Sequence, residues 1–253
     1  MTNGILAASR QHKHTVLLVL LLASLAIQAA GTRFGAGGLF DDSLRTAVGV
    51  STFLIVFQSP RLRVAMSGAL VVILAIGWGR HSLQGRLDFT LSLAYNTALT
   101  LFLWVAVGVI LRGLFRSPAV GAEQVLGAIC GYLLAGDAWA AVNAFTYLLL
   151  PAAYSVNPDL NLFLADWHGR MALFSYYSVT QMLTIGYADV TPVRSPATTL
   201  SLFAALFGVF YMAVVVARFV GLTQSGARQS ANDAPNERRC LVPFRRRPVS
   251  CLP

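Results

Sequence analysis

Six apolar runs, at about 15–30, 43–58, 64–79, 89–111, 122–150 and 196–222, decide the solvent in which this chain can fold. Each approaches or exceeds the ~20 residues that a helix needs to cross the hydrocarbon layer of a membrane. Only 11% of the residues are charged and the mean hydropathy is +0.65, whereas an ordinary soluble domain carries ~25% charge. In lipid a helix satisfies its own backbone hydrogen bonds and an irregular segment does not. The reading is therefore an all-α integral membrane protein. The first three runs are short, so their ends must draw on flanking residues or snorkelling arginines.

The basic residues fall in the gaps between the runs, which is the pattern of membrane topology rather than of a nucleic-acid stripe. Arg10, Lys13, Arg61, Arg63, Arg112, Arg116, Arg218, Arg228, Arg238, Arg239 and Arg245 to Arg247 lie on one side. Arg33, Arg45, Arg80, Arg86, Arg170 and Arg194 lie on the other. The excess puts both termini in the cytoplasm. Despite the net charge of +9, no zinc-finger, basic-helix or RNA-binding motif accompanies it, and nucleic acid is not an expected partner. Cys130, Cys240 and Cys251 lack metal-ligand spacing and read as free thiols. Cleavage of the first run as a secretory signal stands as an alternative, since Arg10, His12, Lys13 and His14 precede it.

One stretch breaks the apolar pattern. Thr184-Ile185-Gly186-Tyr187-Ala188-Asp189 is polar and contains glycine, yet it lies between the fifth and sixth runs. Unwound backbone at membrane depth is tolerated only where protein buries it or where it lines a water-filled path. A helix-like segment from about Trp167 to Leu183 precedes it, with Asp166 placed to accept from the first-turn N–H groups. Ser195 and Pro196 read as the cap and first residue of the last helix.

With that helix before it and Pro192 after it, the string TIGYAD resembles the TVGYGD selectivity filter of potassium channels, Ala188 standing in place of glycine. The resemblance covers about Gly121–Leu222, is densest over Ser175–Pro192, and points to the two-helix pore module of bacterial potassium channels. The six runs read as six transmembrane helices, and the resemblance implies a re-entrant pore helix and filter loop between the fifth and sixth. The Thr184 hydroxyl and the carbonyls of Thr184, Ile185, Gly186 and Tyr187 would then replace the hydration shell of K⁺, with Ala188 completing the filter. Tyr176, Tyr177, Thr180 and Asp189 would support the filter, Asp189 also forming an anionic ring at the outer mouth. Gly208 would be a gating hinge, or would with Ala204 and Ala205 permit close helix packing. A single filter motif implies a homotetramer, since a cage around one axis needs four loops.

The expected organisation is a four-helix membrane bundle over 1–111, a pore module over 112–224 and a basic, disordered cytoplasmic tail over 225–253. The fourth run has no basic residue, so the bundle is not read as a voltage sensor. Leu241, Val242 and Phe244 interleave with the tail arginines, which suits contact with anionic lipid as well as a solvated tail. The expected function is passive K⁺ transport across the cell's inner membrane, with no catalysis and no cofactor beyond the permeant ion. A left-handed backbone at Ala188 costs ~1–2 kcal/mol, which keeps a weakly selective or non-conducting pore open as alternatives. Asp137 sits deep in the fifth run. It supports a third alternative, a proton-coupled secondary transporter, or else bonds to Asn143, Asn96 or Thr97. The GxxxG of Gly127 and Gly131 is expected to pack within the subunit.

Overall fold

The structure, a computed structural model, describes residues 13–34, 37–57, 59–82, 89–116, 121–165 and 167–233. Five helices come first: α1 (Lys13–Phe34), α2 (Gly37–Val56), α3 (Pro60–Ser82), α4 (Phe89–Arg116) and α5 (Ala122–Leu149). Then follow β1 (Tyr154–Val156), the single turn α6 (Leu162–Ala165), α7 (Trp167–Met182), β2 (Val190–Pro192) and α8 (Ala197–Asp233). Among the described residues, four stretches are long and apolar enough to cross a membrane: Pro60–Gly79, Thr90–Arg116, Ala122–Leu149 and Ala197–Gly221. They coincide with the third to sixth apolar runs. The described part of the apolar stretch in α1 is His14–Ala26, and α2 carries Asp41, Asp42 and Arg45 within its length.

The hub is α5, which packs on α4, α7, α1 and α8. Its sequence explains why so many neighbours fit. Gly127, Ala128, Gly131, Ala135, Gly136, Ala138, Ala140, Ala141 and Ala144 are all buried, and small side chains let helix backbones approach closely where lipid supplies no hydrophobic drive. A Cβ on Gly136 would sit 3.1 Å from Val179 of α7, and one on Gly131 would come 2.6 Å from the Tyr211 hydroxyl of α8. The GxxxG face thus packs within the subunit, as expected. Larger side chains close the remaining space: Trp104 of α4 meets Trp139 of α5 edge-on at 5.2 Å and Phe207 of α8 at 5.6 Å.

Three features depart from the sequence reading. A two-stranded antiparallel ribbon is present, with Tyr154 opposite Pro192 and Val156 opposite Val190, so the fold is helical with one short exception. The last helix begins at Ala197 rather than at Pro196, and the Pro196 carbonyl accepts from Leu200 N–H at 3.0 Å. Pro196 therefore holds the capping position assigned to Ser195. Finally, α8 runs on to Asp233, because no proline interrupts it before Pro235. A boundary at 224 consequently falls inside a helix. Asp166 and residues 234–253, with Cys240, Cys251 and most of the tail arginines, lie outside the described residues.

Candidate functional site

The site grows out of the C-terminal end of α7. Thr184 N–H donates to the Gln181 carbonyl and Ile185 N–H to the Thr180 carbonyl, both at 2.9 Å, while Thr184 has φ +57°. This pair of bonds around a left-handed residue is the Schellman ending of a helix. Glycine ordinarily fills that left-handed position, and a β-branched residue there is an outlier. Left-handed φ then recurs at every second residue: Gly186 at +63° and Ala188 at +64°. In a strand successive carbonyls alternate in direction. Reversing φ at alternate residues rotates every second peptide group, so neighbouring carbonyls can share one side. The geometry is strained at two non-glycine positions, Thr184 and Ala188.

Among the described residues, no hydrogen bond reaches the carbonyls of Thr184, Ile185, Gly186 or Tyr187. These four residues are exposed in the single chain, and their carbonyls are open to a partner outside the subunit's own backbone. The Thr184 hydroxyl donates to the Leu183 carbonyl at 2.7 Å, which leaves its oxygen lone pairs open. Ala188 differs: its carbonyl accepts from the Thr191 hydroxyl at 3.2 Å. The segment is exposed in the single chain from Leu183 to Ala188, with Tyr187 63% exposed.

Behind this segment the four supporting residues divide. Tyr176 donates to Asp189 at 2.8 Å and its ring stacks on Tyr187, with centroids 6.2 Å apart and planes 2° from parallel. Asp189 is held from the other side as well, since its carbonyl accepts from Asn157 N–H at 2.9 Å just beyond β1. The ribbon thus pins the chain directly after the left-handed residues. Thr180 contributes its carbonyl to Ile185, and its hydroxyl donates to the Tyr177 carbonyl at 2.8 Å. Tyr177 faces elsewhere: it is buried and its hydroxyl meets Ser201 of α8. One residue along a helix is a rotation of ~100°, so adjacent tyrosines brace different partners. The expectation that Tyr177 reaches the filter or Asp189 is corrected accordingly.

Gly208 lies where α8 crosses the end of α7. A Cβ there would collide with the Met182 carbonyl oxygen and come 2.8 Å from Met182 Cα. The helix runs unbroken through this point, so close packing accounts for the glycine. Further along α8, Arg218 donates to the Phe115 carbonyl of α4 at 2.9 Å.

A buried polar joint absent from the sequence reading locks α5 to α7 and β1. Asn143, fully buried, donates to the Ser178 hydroxyl at 3.0 Å and accepts from the Tyr154 hydroxyl at 2.8 Å. Burial, reinforced by nearby Tyr177, raises the Tyr154 phenol far above its ordinary range, so it remains a neutral donor. Asn143 is therefore committed away from Asp137. Of the other partners considered for Asp137, Asn96 donates to the Ser92 carbonyl and Thr97 to the Leu93 carbonyl, each at 2.8 Å. Asp137 instead lines a cavity of about 80 Å³ together with Ser24, Asp42, Arg45, Thr46, Tyr95 and Met171. An asparagine within an otherwise alanine-rich membrane helix was the sequence signal for this joint, since a buried amide must find partners.

Residues 161–225 match the model of an ion channel family, described as a two-helix channel module. The match takes in α7, the left-handed segment, β2 and most of α8, and leaves 1–160 outside it. No curated protein and no solved structure matches the chain.

Proposed function

With an ion channel segment over residues 161–225 as the premise, we propose that the chain is one subunit of a homotetrameric, potassium-selective channel that passes K⁺ down its gradient. The observation that carries this reading is the alternation of left-handed φ at Thr184, Gly186 and Ala188 with four consecutive unpaired carbonyls. Oxygen dipoles collected on one side replace the hydration of a dehydrated cation. In this reading Thr184, Ile185, Gly186 and Tyr187 hold K⁺, and Tyr176 and Asp189 brace them. A single such segment per chain, exposed along its length, calls for three further copies around a shared axis.

The same reading makes α7 and residues 184–189 a re-entrant unit between α5 and α8, within six spans and with both termini cytoplasmic. At 16 residues α7 extends about 24 Å, short of the ~30 Å hydrocarbon layer. Its C-terminal end carries roughly half a negative charge, which favours a cation beneath the filter.

Ala188 supports a second reading, a weakly selective or seldom open pore. It holds a left-handed φ at a cost of ~1–2 kcal/mol, and its carbonyl is turned to Thr191. Purified protein in liposomes, assayed for K⁺ flux against Na⁺ as wild type and as Ala188→Gly, separates the two. Potassium-selective flux in the wild type supports the first reading, and flux that needs glycine supports the second. No flux in either form, or cross-linking that stops at dimers, overturns the channel.

A further inference from the structure

Three membrane-length stretches meet at one groove: that of α3 begins at Pro60, that of α4 ends at Arg116 and that of α5 begins at Ala122. The groove has a volume of about 610 Å³, and Ser59, Arg112, Arg116, Glu123 and Gln124 line it. Val109 and Ile110 continue its wall toward the interior of the α4 stretch, and Ile55, Val56 and Leu62 add apolar surface from α2 and α3. Helix α1 is held against the same place. The His14 ring lies 3.6 Å from where a Cβ on Gly127 would stand, and the Cys130 thiol donates to the His14 carbonyl at 3.4 Å. Cavities of about 300–1,000 Å³ hold ligands of drug size, so the space exceeds what a lone phosphate ion fills.

Arg112 and Arg116, four residues apart, share a face of α4. Both are exposed, and among the described residues neither has a hydrogen-bond or ion-pair partner. The negative helix ends nearby are served by other arginines: Arg218 donates to the Phe115 carbonyl at 2.9 Å, and Arg63 Nε to the Phe57 carbonyl, just past α2, at 3.0 Å. Among the described residues Glu123 is the one acid lining the groove. The segments that adjoin it in sequence bring no other: residues 1–13 contain Arg10, His12 and Lys13 and no acid, and residues 117–120 contain no charge.

We propose that this groove binds one anionic phospholipid, its phosphate held by Arg112 and Arg116 and its acyl chains lying along Leu62, Val109 and Ile110. Guanidinium groups present planar forks that match phosphate oxygens, and an uncommitted pair on one helix face can grip a single phosphate from two directions. A basic pocket between membrane helices, at the depth where they end, is where lipid headgroups lie. The apolar wall suits acyl chains, which a free phosphate lacks. Glu123 repels a second phosphate, and with Ser59 and Gln124 it suits the hydroxyl groups of a glycerol headgroup. Every residue of the groove lies outside 161–225, so the proposal goes beyond the channel reading and is tested without ion flux.

The test titrates the full-length, delipidated protein in detergent with dioctanoyl phosphatidylglycerol, dioctanoyl phosphatidylcholine or inorganic phosphate, and counts bound molecules by native mass spectrometry. Phosphatidylglycerol should saturate at one per chain, with phosphatidylcholine about tenfold weaker or more. Inorganic phosphate should neither bind nor compete at matched concentration, and competition by it overturns a lipid as the occupant. Arg112→Gln and Arg116→Gln should each weaken phosphatidylglycerol about fivefold, with the lipid-free unfolding midpoint unchanged because neither side chain holds another residue. A lowered midpoint with lipid affinity intact is a structural role and overturns the proposal. Gly113 lines the groove and has nothing within 4 Å of its Cβ position, so Gly113→Phe plugs the groove with every charge in place and should weaken binding as much. Affinity unchanged in Gly113→Phe means adsorption to surface charge and overturns the groove. Replacing Arg238, Arg239 and Arg245 to Arg247 by Gln should leave affinity unchanged, and a loss there puts the lipid on the tail and overturns the site.

Discussion

Helices α5 and α8 are both long and almost wholly apolar, yet 61% of the membrane-length stretch of α5 is buried within the subunit, against 28% for α8. On α8 the buried positions Ser201, Ala204, Gly208, Tyr211 and Val215 form a single stripe at helical spacing. Leu202, Phe203, Leu206, Val209 and Phe210 point away from it. On α5 small residues recur on several faces, and α1, α4, α7 and α8 occupy them. An apolar helix in a membrane is not driven inward by its hydrophobicity, since lipid is as apolar as leucine. Packing shape decides which one becomes the scaffold. The scaffold here is α5, and α8 touches its own subunit along one seam while offering the rest to lipid or to further copies.

This contrast can be broken most directly by truncating the scaffold. Leu134→Ala, at a fully buried position of α5, should cost about 2–5 kcal/mol of subunit stability, measured as denaturant or thermal unfolding in detergent. A cost below 1 kcal/mol would show that α5 is not the hub. Next comes the α8 seam. Gly208→Ala drives a methyl group into the Met182 backbone, which cannot rotate away, and should cost about 1–3 kcal/mol and abolish ion flux. The matched control Gly221→Ala, with nothing within 4 Å of its Cβ, should be neutral or slightly stabilising.

Ala188→Gly should act with the opposite sign, stabilising each subunit by about 1–2 kcal/mol as the left-handed strain is released, and its flux should equal or exceed that of the wild type. An unfolding midpoint that fails to rise would mean that φ +64° is not maintained at Ala188. The smallest effect belongs to the outward face of α8. Leu202→Ala should alter subunit unfolding by less than about 0.5 kcal/mol, while the proportion of protein cross-linked as tetramer should fall. Equal costs for Leu134→Ala and Leu202→Ala would erase the distinction between the two helices.

Much of the site was legible because it depends on local chemistry. The span of α7 was anticipated to within a residue at its C-terminal end, and the demand for unusual backbone geometry at 184–188 followed from the motif's position between apolar runs. The distinction between Tyr176 and Tyr177 was not legible, because both carry the same hydroxyl and only the azimuth of α7 sends one to Asp189 and the other to Ser201. Nor was the ribbon, whose two three-residue strands lack any pattern of their own and exist through pairing with each other across 34 residues of chain, Val156 with Val190.

The sequence by itself determined the solvent, the location of the unwound segment and the residue types along it, since hydropathy, glycine and the punctuation by proline are properties of single residues and short windows. Tertiary structure alone decided which apolar helix is the scaffold, why Gly208 must lack a side chain, and that Asp42 meets His168 across 126 residues of chain. Those outcomes depend on the relative placement of whole helices. Close packing of many small residues sets that placement, and no window of the sequence contains it.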